Sequence, residues 1–282
     1  MKTHDDVRQS VSENYAKAVE RASQSCCSGT PSNSQWVELA GYDQQGVEDV
    51  PDEAVASSFG CGNPLAFGAV EGGQTVLDLG SGAGIDLIIA AKKVGSGGQV
   101  IGVDMTDEMI AKARQNVAAA GFENVDVRKG IIEDLPVESG TVDWVISNCV
   151  INLSPEKPKV FAEIARVLKP GGHMLVSDIV VDDLPLSLRQ NEALYNSCVA
   201  GAISETEYLD GLRQAGMDHV EVRHRTVYDA SQLRGFLKCD AAEGDPAIAE
   251  WAASLDPEEA RTMPQTMEGR IWSASIFGRK AS

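Results

Sequence analysis

The stretch from Thr75 to Ile85, T-V-L-D-L-G-S-G-A-G-I, limits what this chain can fold into more than any other. Thr75 to Leu79 has the β-branched and aliphatic character of a buried strand. Gly80, Gly82 and Gly84 come next at alternate positions, so the backbone can turn tightly and approach a ligand closely before Ile85 opens a helix. A dinucleotide fingerprint requires G-x-G-x-x-G/A, and counting from Gly80 puts Ile85 where the third small residue belongs. The nicotinamide reading fails at that position. Asp78 ends the strand two residues before the first glycine, which suits a cationic ligand better than a pyrophosphate. Taken alone, the turn is equally well a plain strand-to-helix connection.

Beyond the turn, helices and strands alternate. Ile85 to Val94 reads as a helix, Gln99 to Asp104 as a second strand ending in an acid, and Thr106 to Gly121 as a helix with Asp107 and Glu108 in its first turn. Asn124 to Arg128 reads as a third strand and Asp143 to Ser147 as a fourth. Lys157 to Leu168 is a helix ended by Lys169-Pro170-Gly171-Gly172, and His173 to Asp178 is a fifth strand. Such repetition predicts an α/β fold, a doubly wound parallel sheet with helices on both faces. Ligands bind beyond the carboxyl ends of such strands, where Asp78, Asp104 and the pair Asn148-Cys149 all fall.

Before and after this core the pattern changes. Residues 4 to 22 carry Val7, Val11, Tyr15, Ala16, Val19 and Ala22 as the stripe of an amphipathic helix. Ser25 to Gln35 is a polar loop or arm with Cys26 and Cys27, Pro51 to Ser57 fits a short helix, and Ser58 to Pro64 is a turn-rich loop holding Cys61. After Val181, Leu184 to Ala200 reads as a helix, Ser204 to Ala215 as another capped by Ser204, and Val220 to Val227 as a strand. Asp240 to Arg270 is polar and rich in Ala and Glu, with no element assigned. Ile271 to Phe277 reads as a last strand, with the tail from Arg279 expected to be unordered. Three parts are therefore expected: an N-terminal helix and cysteine-bearing arm over residues 1–68, an α/β domain over 69–181, and a smaller α+β region over 182–282.

Composition narrows the partners. The formal charge of -18 over 282 residues, with no run of Lys and Arg, excludes nucleic acid and anionic membrane surfaces. No apolar run reaches the length of a membrane span and the N-terminus is charged throughout, so a cytoplasmic protein is expected. There the six cysteines stay reduced, which points to ligation, catalysis or burial before structural disulfides.

Cys149 ends the fourth strand in S-N-C-V-I-N-L, Cys61 lies in the loop ahead of the core, and Cys198 lies in S-C-V-A-G-A beyond the fifth strand. Three thiols from distant parts of the chain can thus meet above one ligand site. Burial as small hydrophobes is the competing reading. Zinc is disfavoured, since no C-x-x-C or H-x-x-x-H spacing occurs and the four histidines lie away from the cysteines.

D-L-G-S-G-A-G resembles the first motif of class I S-adenosylmethionine-dependent methyltransferases. Asp104 stands where an acid accepts from ribose hydroxyls, although it is also placed to cap the next helix. Ile132-Glu133-Asp134 resembles the adenine-side motif of the same class, or else a simple acidic loop. The candidate cofactor residues are Asp78, Gly80, Ser81, Gly82, Gly84, Asp104, Met105, Ile132, Glu133 and Asn148. The resemblance sharpens with C-G-N-P at Cys61, S-N-C-V-I-N-L at Cys149 and S-C-V-A-G-A at Cys198. From about Cys61 to Leu237 the chain is similar to arsenite S-adenosylmethionine methyltransferases.

That resemblance implies a class I, Rossmann-like methyltransferase fold and methylation of trivalent arsenic for detoxification. It implies that Cys61, Cys149 and Cys198 bind the metalloid, and that Cys27 or Cys26 exchanges a disulfide with Cys61. The adjacent pair Cys26-Cys27 leaves both partners open, and Cys239 lies outside the matched motifs. Arsenic(III) is soft and thiophilic, as thiolate selection requires. Its lone pair needs no general base, and none of the strand ends presents a His or Lys to serve as one. A thiol reductant, glutathione or thioredoxin, is expected to reset the cysteines. The alternatives are a quinone-like carbon methyltransferase and a non-catalytic metalloid-binding protein.

Overall fold

A computed structural model describes residues 3–24, 69–189, 191, 194–195, 198–233, 250–251 and 253–282. Within them one seven-stranded sheet organises the chain. In chain order the elements are α1 (His4–Gln24), β1 (Thr75–Leu79), α2 (Ile85–Val94), β2 (Gln99–Asp104), α3 (Asp107–Ala119), β3 (Val125–Lys129), β4 (Val142–Asn148), α4 (Lys157–Val167) and β5 (Leu168–Val181). They continue with α5 (Leu186–Arg189), α6 (Glu205–Gln214), β6 (Met217–Val227), α7 (Pro257–Met267) and β7 (Ile271–Lys280). The strand order is β3-β2-β1-β4-β5-β7-β6. The first five strands are parallel, and β7 runs antiparallel between β5 and β6.

The strand sequences explain the layering. Side chains alternate across a strand, so Leu77 and Leu79 of β1 face one side while Val76 faces the other. Leu77 and Leu79 join a core completed by Phe161 and Ile164 of α4 and Tyr208 and Leu212 of α6. Val76 joins a second core with Leu87 and Ile88 of α2 and Ala113 and Val117 of α3. Helices therefore cover both faces, as the β-α repetition predicts. A third apolar cluster, containing Val11, Leu153, Ile179, Leu188, Tyr228, Met267 and both Cys149 and Cys198, caps the carboxyl ends of the strands.

Several boundaries differ from the sequence reading. Lys169 to Gly172 does not separate helix from strand. It is a bulge inside β5, because Val142 pairs with Leu168 and Trp144 with His173, leaving four residues opposite Asp143. Gly171 takes a φ of 73° there, and the Lys169 ammonium pairs with Asp143 at 2.7 Å. Of the helix expected over Leu184 to Ala200, the described residues show α5 and a helical Leu194 and Tyr195, while residues 198 to 200 form a turn. The polar stretch Asp240 to Arg270 contains α7, started by the Asp256 side chain accepting from the Glu258 amide at 2.8 Å.

The tail from Arg279 is ordered, contrary to expectation. Its strand is central, so backbone bonds hold it on both edges, Arg279 pairs with Asp218 at 3.0 Å, and the Lys280 ammonium donates to the Leu168 carbonyl at 2.7 Å. Ser204 caps α6 as expected, within a reciprocal capping box with Glu207. The readings over residues 25–68, with Cys26, Cys27 and Cys61, and Cys239 in its turn, lie outside the described residues. No described helix is long and apolar enough to cross a membrane.

Candidate active site

The glycine turn is built as its sequence demands. Gly80, Gly82 and Gly84 have φ of 65°, 51° and 92°, a region costly to other residues. The Gly80 and Ser81 amides donate to the Val103 carbonyl at 2.8 and 3.1 Å, tying the turn to β2. The buried Asn116 amide donates to the Ala83 carbonyl at 2.8 Å and pins it from the α3 side. A Cβ on Gly80 would run into Cγ2 of Val150, the residue after Cys149. The cofactor turn and the end of β4 are thus in direct contact.

Above the turn lies a cavity of about 120 Å³. All the cofactor candidates except Gly84 line it: Asp78, Gly80, Ser81, Gly82, Asp104, Met105, Ile132, Glu133 and Asn148. Gly84 instead starts α2 in the left-handed conformation and packs on Ala113. Cys149 lines the same cavity.

The floor is acidic. Asp78, Asp86 and Asp104 are 2%, 4% and 9% exposed. Burial, then the charges of Asp86 and Asp104, push the Asp78 carboxyl well above its ordinary range. Asp104 is likewise raised by burial, partly offset by amides from Thr106 and Gly82, each at 2.9 Å. The raised Asp78 and Asp104, with Asp86 buried beside them, form a floor that a bound cation relieves, and the zwitterionic, sulfonium-bearing S-adenosylmethionine fits it. Asn148 donates to Asp86 at 3.4 Å and orients one wall.

Sequence reasoning missed the roof. Arg8, Val11 and Tyr15 of α1 line the cavity from above. Arg8 donates to Glu133 at 3.2 Å and to Glu156 at 2.6 Å, and the Ser154 hydroxyl donates to Glu133 at 2.7 Å. Glu133 therefore lines the cavity with its carboxylate already engaged in holding α1. The available signal was spacing: Arg8, Ser12, Tyr15 and Val19 share one helical face, on which Tyr15 reads simply as apolar.

The two described cysteine candidates converge. The Cys198 thiol donates to the Cys149 carbonyl, Sγ to O being 2.7 Å, and both residues sit in the apolar cap. Both have left-handed backbones, φ 60° at Cys149 and 63° at Cys198, two of the three non-glycine residues so placed among those described. Strain of this kind persists only where the surroundings impose it, and it gathers at functional sites. Gly201 supplies part of the imposition, since a Cβ there would fall on the Asn152 carbonyl oxygen.

Cys149 is disulfide-bonded, and not to Cys198, which is a free buried thiol. Burial, then the nearby Asp178, push the Cys198 thiol far up. Among the described residues no set of three His, Cys, Asp or Glu side chains is placed to hold a metal ion.

Beneath Cys198 lies a polar network that sequence reasoning also missed. Asp178, fully buried, accepts from Asn152 at 2.8 Å, from the Ile179 amide at 3.0 Å and from the Tyr208 hydroxyl at 3.4 Å. Burial raises its carboxyl to about 7, tempered by Lys157. The Lys157 ammonium, lowered by burial to about 8, donates to the Asn152 and Ser154 carbonyls at 3.1 and 2.9 Å. These bonds fix the loop beyond Cys149.

Comparison with known proteins agrees with this geometry. A methyltransferase domain model matches residues 71–216. The chain is 43% identical over 232 residues to an arsenite methyltransferase of Halobacterium salinarum, covering 77% of this chain and 59% of that protein. It is 38% identical to an arsenite methyltransferase of Aquipseudomonas alcaligenes, over 74% of this chain and 62% of that one. The chain thus spans about three-fifths of the length of these curated relatives. The crystal structure of CrArsM, an arsenic(III) S-adenosylmethionine methyltransferase from Chlamydomonas reinhardtii, superposes with a TM-score of 0.65 at 32% identity, covering 85% of this chain and 73% of that one.

Proposed function

Because this chain belongs to the arsenic(III) S-adenosylmethionine methyltransferase family, we propose that it methylates trivalent arsenic held on the thiols of Cys61, Cys149 and Cys198. The observation that carries the reading is the meeting of Cys198 with Cys149, which lines the same cavity as the glycine turn, both cysteines on strained backbone. S-adenosylmethionine supplies an electrophilic methyl group on a sulfonium. Asp78 and Asp104 bind and orient its charged and ribose parts, and Arg8 and Tyr15 of α1 exclude water from above.

Arsenite loads without a base. As(OH)3 and three thiols give the tris-thiolate and three waters, so the proton of each thiol leaves in water. The buried Cys198 thiol, which resists ionisation alone, is therefore suited to this exchange. Arsenic then offers its lone pair from a fixed position, and orientation of two bound reactants supplies most of the acceleration. Methylation oxidises arsenic to the pentavalent state. Two thiols return two electrons by closing a disulfide, which glutathione or thioredoxin reopens. The disulfide at Cys149 is consistent with such a resting state, and Cys26 or Cys27 is proposed to exchange with Cys61.

In this reading residues 1–68 bring the helix and the exchanging thiols, 69–181 the methyl-donor site and 182–282 the Cys198 side, in a cytoplasmic protein. The decisive variants are Cys149→Ser and Cys198→Ser, assayed for S-adenosylhomocysteine release with arsenite and glutathione. Loss of turnover beyond about a hundredfold in each supports thiol-held arsenic. Turnover with arsenite largely kept in both variants overturns thiol-held arsenic, release that needs an added quinone-like acceptor instead of arsenite supports a carbon methyltransferase, and arsenite binding without any release in the parent chain supports a metalloid-binding protein.

A further inference from the structure

Helix α1 touches both halves of this site at once. Arg8, Val11, Ser12, Tyr15 and Val19 fall on one helical face, and Val11 and Val19 are seated in the fold. Towards the cofactor side, Arg8 holds Glu133, and the Ser12 hydroxyl lies 3.1 Å from that of Thr106, whose amide bonds Asp104. Towards the cysteine side, the Tyr15 side chain is hydrogen-bonded to the Cys198 thiol, which itself donates to the Cys149 carbonyl. Tyr15 also lines the cavity and packs against the apolar cap containing Cys149 and Cys198.

We propose that Tyr15 is a positioning residue that links the methyl-donor cavity to Cys198, so that a ligand seating α1 over Asp104 and Glu133 also fixes the Cys198 sulfur beside Cys149. The inference rests on the proposed function, in which Cys198 is an acceptor thiol. Its logic is one of shared restraint. Cys198 keeps a left-handed backbone in a turn, and the tether from Tyr15 reaches it from an element whose own seating depends on contacts around the cofactor cavity. Linkage makes the effect reciprocal: what tightens Cys198 also tightens the donor-site ligand.

The test uses the full chain and no arsenical. Alkylation of Cys198 by iodoacetamide is followed by mass spectrometry of the peptide that carries it, with and without S-adenosylhomocysteine. In the parent chain the ligand slows labelling about fivefold, the worth of one buried hydrogen bond. In Tyr15→Phe, which keeps the ring and its packing, labelling with and without ligand agrees within about twofold while calorimetry still detects ligand binding. Arg8→Gln, which releases the cofactor end of α1, loses the protection in the same way with Tyr15 intact. Full protection in Tyr15→Phe overturns the proposal. If that variant fails to fold by circular dichroism, full protection in Arg8→Gln overturns it instead. A chain that shows the protection yet makes no methylated arsenic sinks the proposed function and leaves this linkage standing.

Discussion

Replacing Gly80 by Ala strikes the cofactor turn and the thiol site together, and its cost can be worked from the geometry. The backbone at Gly80 has a φ of 65°, which charges an alanine about 1–2 kcal/mol. The new methyl runs into Cγ2 of Val150 and meets its Cβ at 2.7 Å and its Cγ1 at 3.0 Å. Contacts that short force a side-chain or backbone shift, adding about 1–3 kcal/mol. The expected loss is therefore about 2–5 kcal/mol in urea unfolding.

The relief valve is Val150, the neighbour of Cys149, so the displacement also reaches the thiol. Val150→Ala removes the two Cγ contacts but keeps the Cβ contact at 2.7 Å, so it rescues only part of the loss. A double-mutant cycle should return a coupling of about 1–2 kcal/mol, with S-adenosylhomocysteine affinity recovering in parallel. A Gly80→Ala variant that unfolds within about 0.5 kcal/mol of the parent, or a cycle with no coupling, would refute the reasoning.

The buried carboxylates lead to two more expected outcomes. Asp104→Asn turns an amide donor against either the Gly82 or the Thr106 N–H, and should weaken S-adenosylhomocysteine by at least about tenfold in calorimetry, the equivalent of one charge-assisted bond lost. Asp178, raised to about 7, keeps in the fold a proton that the unfolded chain releases from about pH 4, so its contribution is complete at low pH and falls as pH rises towards 7. Thermal unfolding between pH 5 and 7.5 should show that decline, about 2–3 kcal/mol over the two pH units below 7, and Asp178→Asn should flatten it; an unchanged slope in the variant would place the proton elsewhere.

The central architecture was legible because its signals are local. The apolar run ending at Leu79, the alternate glycines and the acid at Asp104 each report a strand end, and the periodicity between them reports helices. The thiol site was legible in part, since Cys149 sits at the end of a strand that can be read and its resemblance to a known motif is specific. What the sequence hid depends on contacts between distant segments. Tyr15 counts towards an apolar stripe until the fold brings it against Cys198, and the hold of Arg8 on Glu133 spans 125 positions, which no local pattern around Glu133 reports. The order of Arg279 and Lys280 comes from strand pairing on both sides, which no terminal hexapeptide advertises. The helix expected to run on to Ala200 does not reach it, because Cys198 bends into a left-handed turn, a conformation set by packing against Asn152 and Cys149 rather than by local propensity.

The most direct measurement tracks the methyl group itself. The reduced full chain is incubated with arsenite, glutathione and methyl-labelled S-adenosylmethionine, and the arsenic species are separated and weighed by mass spectrometry. The account predicts labelled methyl on arsenic, one S-adenosylhomocysteine for each methyl transferred, and loss of both in Cys149→Ser. S-adenosylhomocysteine released with no label on arsenic, or labelled arsenic undiminished in Cys149→Ser, would contradict it.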